Sequence, residues 1–171
     1  MLYLAYIKPC NSLVAILGNF DLKYPSSGLH LNLWNFNTYE KDEDHLINRL
    51  MEIGLNPFNV RTDKIKSFDN SSLVIKLEAD ETLCHLHNKI INAVRDFDKN
   101  SVLFDKMVRQ YGGKNYNPHI TISKKYVPGQ IQEEIEWQIK GIEWKVDSFY
   151  LIKYQQEEKI WKDVKTFCRQ S

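Results

Sequence analysis

Two short stretches carry residue types suited to phosphoryl chemistry: GLHLNLW at 28–34 and PHITIS at 118–123. Each sets a histidine two positions before a polar residue inside an alternating apolar run. Successive side chains of a strand point to opposite faces, so His119, Thr121 and Ser123 share one face and Ile120 and Ile122 the other. The same alternation groups His30, Asn32 and Trp34 opposite Leu29, Leu31 and Leu33. Two residues along a strand span about 6.6 to 6.8 Å, so an imidazole and the polar tip two positions on reach different oxygens of one phosphate. Opening a cyclic phosphodiester takes a base to remove a proton from water and an acid to return one to the leaving ribose oxygen. Histidine serves both roles near pH 7. One His-x-Thr strand alone is weak evidence. Two such strands, one in each half of the chain, make His30 and His119 the candidate catalytic pair.

No rival constellation competes with them. His85 and His87 lie two apart on a predicted helix and so point to different faces, and neither an HExxH motif nor a carboxylate cluster accompanies them. No metal site and no cofactor is expected, since hydroxyl and amide donors with a nearby cation can stabilise phosphoryl oxygens. Cys10, Cys84 and Cys168 are odd in number and show no CxxC spacing, which predicts free, mostly buried thiols. A net charge of +1 argues against a protein that coats nucleic acid by bulk electrostatics. Charge is local instead: residues 109–125, around His119, hold Arg109, Lys114, Lys124 and Lys125 with no Asp or Glu, whereas EKDED at 40–44 is acidic.

The elements that must position the histidines follow from hydrophobic periodicity. Strands are predicted at Leu2 to Ile7, Leu29 to Phe36, Phe58 to Phe68, Ser72 to Leu77, Val102 to Val108, His119 to Ser123 and Trp144 to Tyr154. Helical stripes fall at Leu46, Ile47, Leu50 and Met51, at Leu83, Leu86, Ile90, Val94 and Phe97, and at Ile131, Ile135 and Ile139 after Pro128. The tail KIWKDVKTFC reads as a strand. Strands outnumber helices and FDNSS at 68–72 suits a hairpin, so the expectation is α+β, with two ferredoxin-like halves, rather than a doubly wound parallel sheet. With 171 residues, 43% apolar and 26% charged, the chain reads as one domain over 1–171. No stretch approaches the ~20 apolar residues of a membrane span and the start lacks the basic lead of a signal peptide, which places the protein in the cytoplasm, away from membranes, as an expected monomer.

These motifs resemble the 2H phosphoesterase superfamily, specifically its 2′,5′ RNA ligase and RNA 2′,3′-cyclic phosphodiesterase branch, whose signature is a pair of H-x-[ST]-x motifs. YPSSGLHLNLWNF resembles the first motif strand, NYNPHITISKKY the second, NPFNVRTDKIKSFDNSSLVIKLEAD the intervening hairpin, LCHLHNKI the helix before the second motif and GIEWKVDSFYLIKY the closing strand. Only the first helix region, Cys10 to Asp21, fits poorly. The resemblance implies a bilobal fold with a cleft between two antiparallel sheets, His30 and His119 as acid and base, and Thr121 as a phosphate-binding hydroxyl. It also makes Lys124, after the second motif, a candidate phosphate contact. Asn32 departs from the family's Thr or Ser; its amide still donates a hydrogen bond but lacks the rotating hydroxyl. Trp34, Phe36 and Tyr126 are candidates to stack a base. The implied activity is hydrolysis of a 2′,3′-cyclic phosphate at an RNA end to a 2′-phosphate, with reverse 2′,5′ ligation as a companion reaction. Alternatives are cleavage of 2′,5′-oligoadenylate or cyclic oligonucleotides, and a non-catalytic module that grips RNA ends or nucleotides.

Overall fold

The computed structural model describes residues 1–25, 27–68, 72–78 and 80–168. Eight strands among these residues form one curled sheet: β1 (Leu2–Ile7), β2 (Leu31–Asn37), β3 (Phe58–Phe68), β4 (Ser72–Leu77), β5 (His119–Ser123), β6 (Glu143–Val146), β7 (Ser148–Gln155) and β8 (Ile160–Cys168). Their order is β6-β3-β4-β5-β2-β1-β7-β8, and each pairing is antiparallel. The sheet divides into two four-stranded halves. They meet at β5 and β2, which are paired only through Leu31 and Ile120.

Five α-helices among the described residues accompany the sheet: α1 (Asn11–Leu17), α2 (Glu43–Met51), α3 (Glu81–Val94), α4 (Ser101–Tyr111) and α5 (Gly129–Ile139). Each forms where one apolar stripe can be buried. Leu46 and Leu50 are the buried stripe of α2, Ile135 and Ile139 that of α5. In α3 the Asp80 side chain caps the start by accepting from the Thr82 and Leu83 amides, and Leu83, Leu86, Ile90 and Val94 face inward. These stripes join Tyr3, Ala5, Leu31, Ile75, Ile120 and Leu151 in one buried cluster. The opposite face of the sheet holds a smaller cluster of Leu4, Tyr6 and Ile152, bordered by Tyr150 and Trp161. That second face carries the histidines, because His30, His119, Asn32 and Thr121 alternate with the core residues Leu31 and Ile120.

Several sequence expectations need correction. Residues 102–108 are helical, within α4, not a strand: Asn100 caps the helix by accepting from the Leu103 amide at 2.9 Å, and Phe104 provides the buried anchor. Trp144 to Tyr154 is two strands, broken at Asp147 and sent to opposite regions of the sheet: β6 pairs with β3, and β7 pairs with β1 and β8. Helix α1 falls within Cys10 to Asp21, the first helix region, where the resemblance fits poorly. The thiols are less enclosed than expected, with Cys10 and Cys84 half-buried and Cys168 exposed. The central residues of FDNSS, 69–71, lie outside the described residues, although Phe68 and Ser72 pair as ends of a hairpin.

Candidate active site

The strand pairing brings the two motifs together. With Leu31 opposite Ile120 in an antiparallel ladder, continuing the register sets His30 across from Thr121 and Asn32 across from His119. His30 and His119 are then diagonal neighbours, and such pairs lie about 7 to 8 Å apart, which leaves room for one phosphate between the rings. The charge of His119 also contributes, behind burial, to lowering the pKa of His30. Asn32 and Thr121 occupy the other diagonal.

Each imidazole is held by the same device. The Nδ1 of His30 lies 2.9 Å from the Gly28 carbonyl and the Nδ1 of His119 lies 2.8 Å from the Asn117 carbonyl. A carbonyl only accepts, so each Nδ1 carries the proton and each Nε2 presents its lone pair. Gly28 reaches its position with φ 75°, a left-handed conformation that favours glycine. Asn117 precedes Pro118, which biases it toward extended backbone leading into β5. Burial is the main force lowering the pKa of His30, helped by the charges of His119 and Lys124 and opposed by the Gly28 hydrogen bond. Burial likewise lowers that of His119, with the Asn117 carbonyl opposing and Lys76 assisting. Two neutral imidazoles beside two lysines form a site that favours an anion, because a bound phosphate relieves the cation's effect on each ring.

Residues 8–158 match the family profile of the 2'-5' RNA ligase superfamily. The chain belongs to that superfamily. No curated protein matches it by sequence. Among solved structures it is similar to the Thermus thermophilus protein TT0787, with 20% identity, TM-score 0.68, and 98% of this chain and 97% of that one covered. It is also similar to apo Escherichia coli LigT, with 14% identity, TM-score 0.69, and 99% and 98% covered. LigT complexed with 3′-AMP matches with 14% identity, TM-score 0.63 and the same coverage. At these identities the structures establish the shared fold, the LigT-like 2H phosphoesterase architecture.

Within this superfamily fold, the other expected site residues are placed unequally. Thr121 is half-buried on the histidine face and Lys124 is exposed within electrostatic reach of His30. The Asn32 Oδ1 is buried with no hydrogen-bond partner among the described residues. Trp34 departs from the expected face. The ladder between β1 and β2 shifts at Ala5/Tyr6, so Ala5 pairs with Trp34 and Tyr6 with Asn32, leaving Leu33 as the extra residue. Trp34 is consequently 4% exposed and packs edge-on against His87 and Phe104. Phe36 is also buried, stacked on Tyr3. Tyr126 is 76% exposed and lines a separate groove with Phe20, Val127 and Pro128, so it does not join the histidines.

Three neighbours were not singled out from sequence. Lys76 on β4 pairs directly with His119 across the ladder. Phe68 meets the His119 ring edge-on at 5.2 Å, and Tyr6 meets the His30 ring edge-on at 5.8 Å. The one signal for Lys76 was a lysine inside the apolar run SLVIKL, on the face opposite Ile75 and the core. Among the described residues, no three His, Cys, Asp or Glu side chains are grouped to hold a metal ion. No helix is long and apolar enough to cross a membrane, again among the described residues.

Proposed function

We propose that the protein is a phosphodiesterase that opens the 2′,3′-cyclic phosphate at an RNA end to a 2′-phosphate, with His30 and His119 as its acid/base pair and no metal in the reaction. Water attacks phosphorus as the bond to O3′ breaks. One histidine takes the water proton at Nε2, and the other, entering protonated, gives its proton to O3′. Thr121 and the Asn32 amide donate to the non-bridging oxygens, while Lys76 and Lys124 oppose the charge that gathers there. The observation that supports this reading is the Leu31–Ile120 pairing, which joins the two motif strands at residues adjacent to two similarly tethered imidazoles. Superfamily membership supports it, as does the ability of the structurally similar LigT to hold 3′-AMP.

The test uses an RNA oligonucleotide ending in a 2′,3′-cyclic phosphate, with and without EDTA, the product being identified by phosphorus NMR. Conversion to the 2′-phosphate, unchanged by EDTA, is expected. A 3′-phosphate product would overturn the regiochemistry, loss of turnover in EDTA would overturn the metal-free route, and binding without turnover would make the protein an RNA-end binding module.

A further inference from the structure

The two histidines have matching surroundings, with one partner displaced. His119 is tethered through Nδ1 to the carbonyl two residues before it, meets the edge of Phe68 at 5.2 Å and has Lys76 directly across on the flanking strand β4. His30 is tethered in the same way and meets the edge of Tyr6 at 5.8 Å. Its flanking strand is β1, which pairs with β2 up to Ile7 and Leu31. One further step of that antiparallel register puts Lys8 across from His30. Pro9 follows Lys8 and biases it toward extended backbone, so the step continues the strand. Lys8 is thus the positional counterpart of Lys76.

The Lys8 side chain lies on the histidine face. Its Nζ sits over the Tyr150 ring, 4.0 Å from the centroid. Tyr150 packs on Tyr6 with ring centroids 5.4 Å apart, and Tyr6 in turn meets His30. Strand β1 runs between β2 and β7, at about 4.8 Å from each. A stem that carries the ammonium one strand outward, to β7, carries it one strand inward, to the rim of His30, by rotation about its own bonds. A cation over an exposed ring is held more weakly than one hydrogen-bonded to a phosphoryl oxygen. Among the described residues Lys8 is in no salt bridge, so the turn inward breaks no ion pair.

We infer that Lys8 is a further phosphate-binding cation of the histidine site: its ammonium leaves the Tyr150 ring, turns past Tyr6 and hydrogen-bonds a phosphoryl oxygen on the His30 side. The inference rests on the phosphodiesterase reading for the position of the phosphate, and it adds a residue that belongs to neither motif. Lys124 acts on His30 from the β5 side, so Lys8 completes a rim with a cation on each flank of that imidazole. Its part is electrostatic. As water attacks phosphorus, negative charge gathers on the non-bridging oxygens, and Lys8 meets it without giving up a proton.

Two measurements separate Lys8 from the chemistry. Wild type, Lys8→Met and Lys8→Arg are titrated with inorganic phosphate, the ring protons of His30 and His119 reporting occupancy by NMR. Lys8 is exposed, so neither substitution disturbs the core. Lys8→Met is expected to weaken phosphate binding about tenfold, and Lys8→Arg to stay within about threefold of wild type. Lys145→Met, on the end strand β6, controls for net charge and should bind as wild type does. Wild-type affinity in Lys8→Met, or an equal loss in Lys145→Met, would overturn the assignment. In parallel, kcat/KM for adenosine 2′,3′-cyclic phosphate should fall about tenfold in Lys8→Met and recover in Lys8→Arg. If wild type hydrolyses no cyclic phosphate while Lys8→Met still weakens phosphate binding, the phosphodiesterase reading fails and the Lys8 site stands. If wild type hydrolyses it and Lys8→Met matches wild type in both measurements, the Lys8 site fails and that reading stands.

Discussion

Protonation of His87 should make the fold acid-labile in a defined window. The side chain is 1% exposed, its ring stacks on Tyr116, and its Nδ1–H donates to the Leu33 carbonyl at 2.7 Å. Burial lowers its pKa from 6.5 to about 4, against the opposing pull of the Leu33 and Tyr111 carbonyls. Between pH 6.5 and 4 the unfolded chain therefore binds this proton and the folded protein does not, so stability falls as pH falls. At about 1.4 kcal/mol per pH unit, the loss approaches 3 kcal/mol by pH 4, against a total of about 5–15 kcal/mol for a typical domain. His87→Asn keeps a donor near the Leu33 carbonyl but cannot titrate. It costs stability at pH 7, through lost ring contacts, and that cost should shrink by about 3 kcal/mol by pH 4. Urea unfolding of both proteins, followed by circular dichroism at several pH values, reads the gap directly. A gap that stays constant from pH 7 to 4 would refute the buried neutral imidazole as the origin of the effect.

Other consequences follow from the same site. Asn32→Thr restores the rotating hydroxyl typical of the motif and should preserve or raise kcat/KM on a 2′,3′-cyclic nucleotide; a loss beyond about tenfold would mean that the amide itself is required. Because burial lowers both imidazoles below 6.5, the base is already deprotonated at neutral pH while the acid is losing its proton. The kcat/KM profile should therefore peak on the acid side of pH 6.5, and a maximum above pH 7.5 would contradict that ordering. Lys76→Ala removes the cation paired with His119 across the ladder. Steady-state assays should show kcat/KM down about tenfold or more, and a charge-neutral Lys76→Met equal to wild type would exclude an electrostatic role.

The placement of the two motif strands was more legible in the sequence than their surroundings. PHITIS alternates cleanly, so the face of His119 and Thr121 could be assigned from local geometry alone. GLHLNLW yielded His30 and Asn32 but misplaced Trp34, because the shift at Ala5/Tyr6 belongs to the pairing with β1 and has no signature within β2 itself. Lys76 stayed hidden for the same reason: its place opposite His119 depends on the β4–β5 register, a contact across more than forty residues. In 102–108, β-branched and aromatic content favoured a strand, yet Phe104, Met107, Val108 and Tyr111 already had helical spacing and Asn100 stood ready as a cap. The cavity of about 400 Å³ that borders His119 and Asn32 could not be read from sequence, since it arises where β2 outruns β5 and five separate segments line the space: β2, the end of β3, α3, α4 and the chain leading into β5.

The pairing of the two histidines is decided most directly by single-turnover hydrolysis of an RNA ending in a 2′,3′-cyclic phosphate, comparing wild type with His30→Ala and His119→Ala after circular dichroism shows both variants folded. Each substitution removes one proton-transfer partner and should slow the chemical step by about 100- to 10,000-fold. Turnover within tenfold of wild type in either folded variant would contradict the two-histidine mechanism.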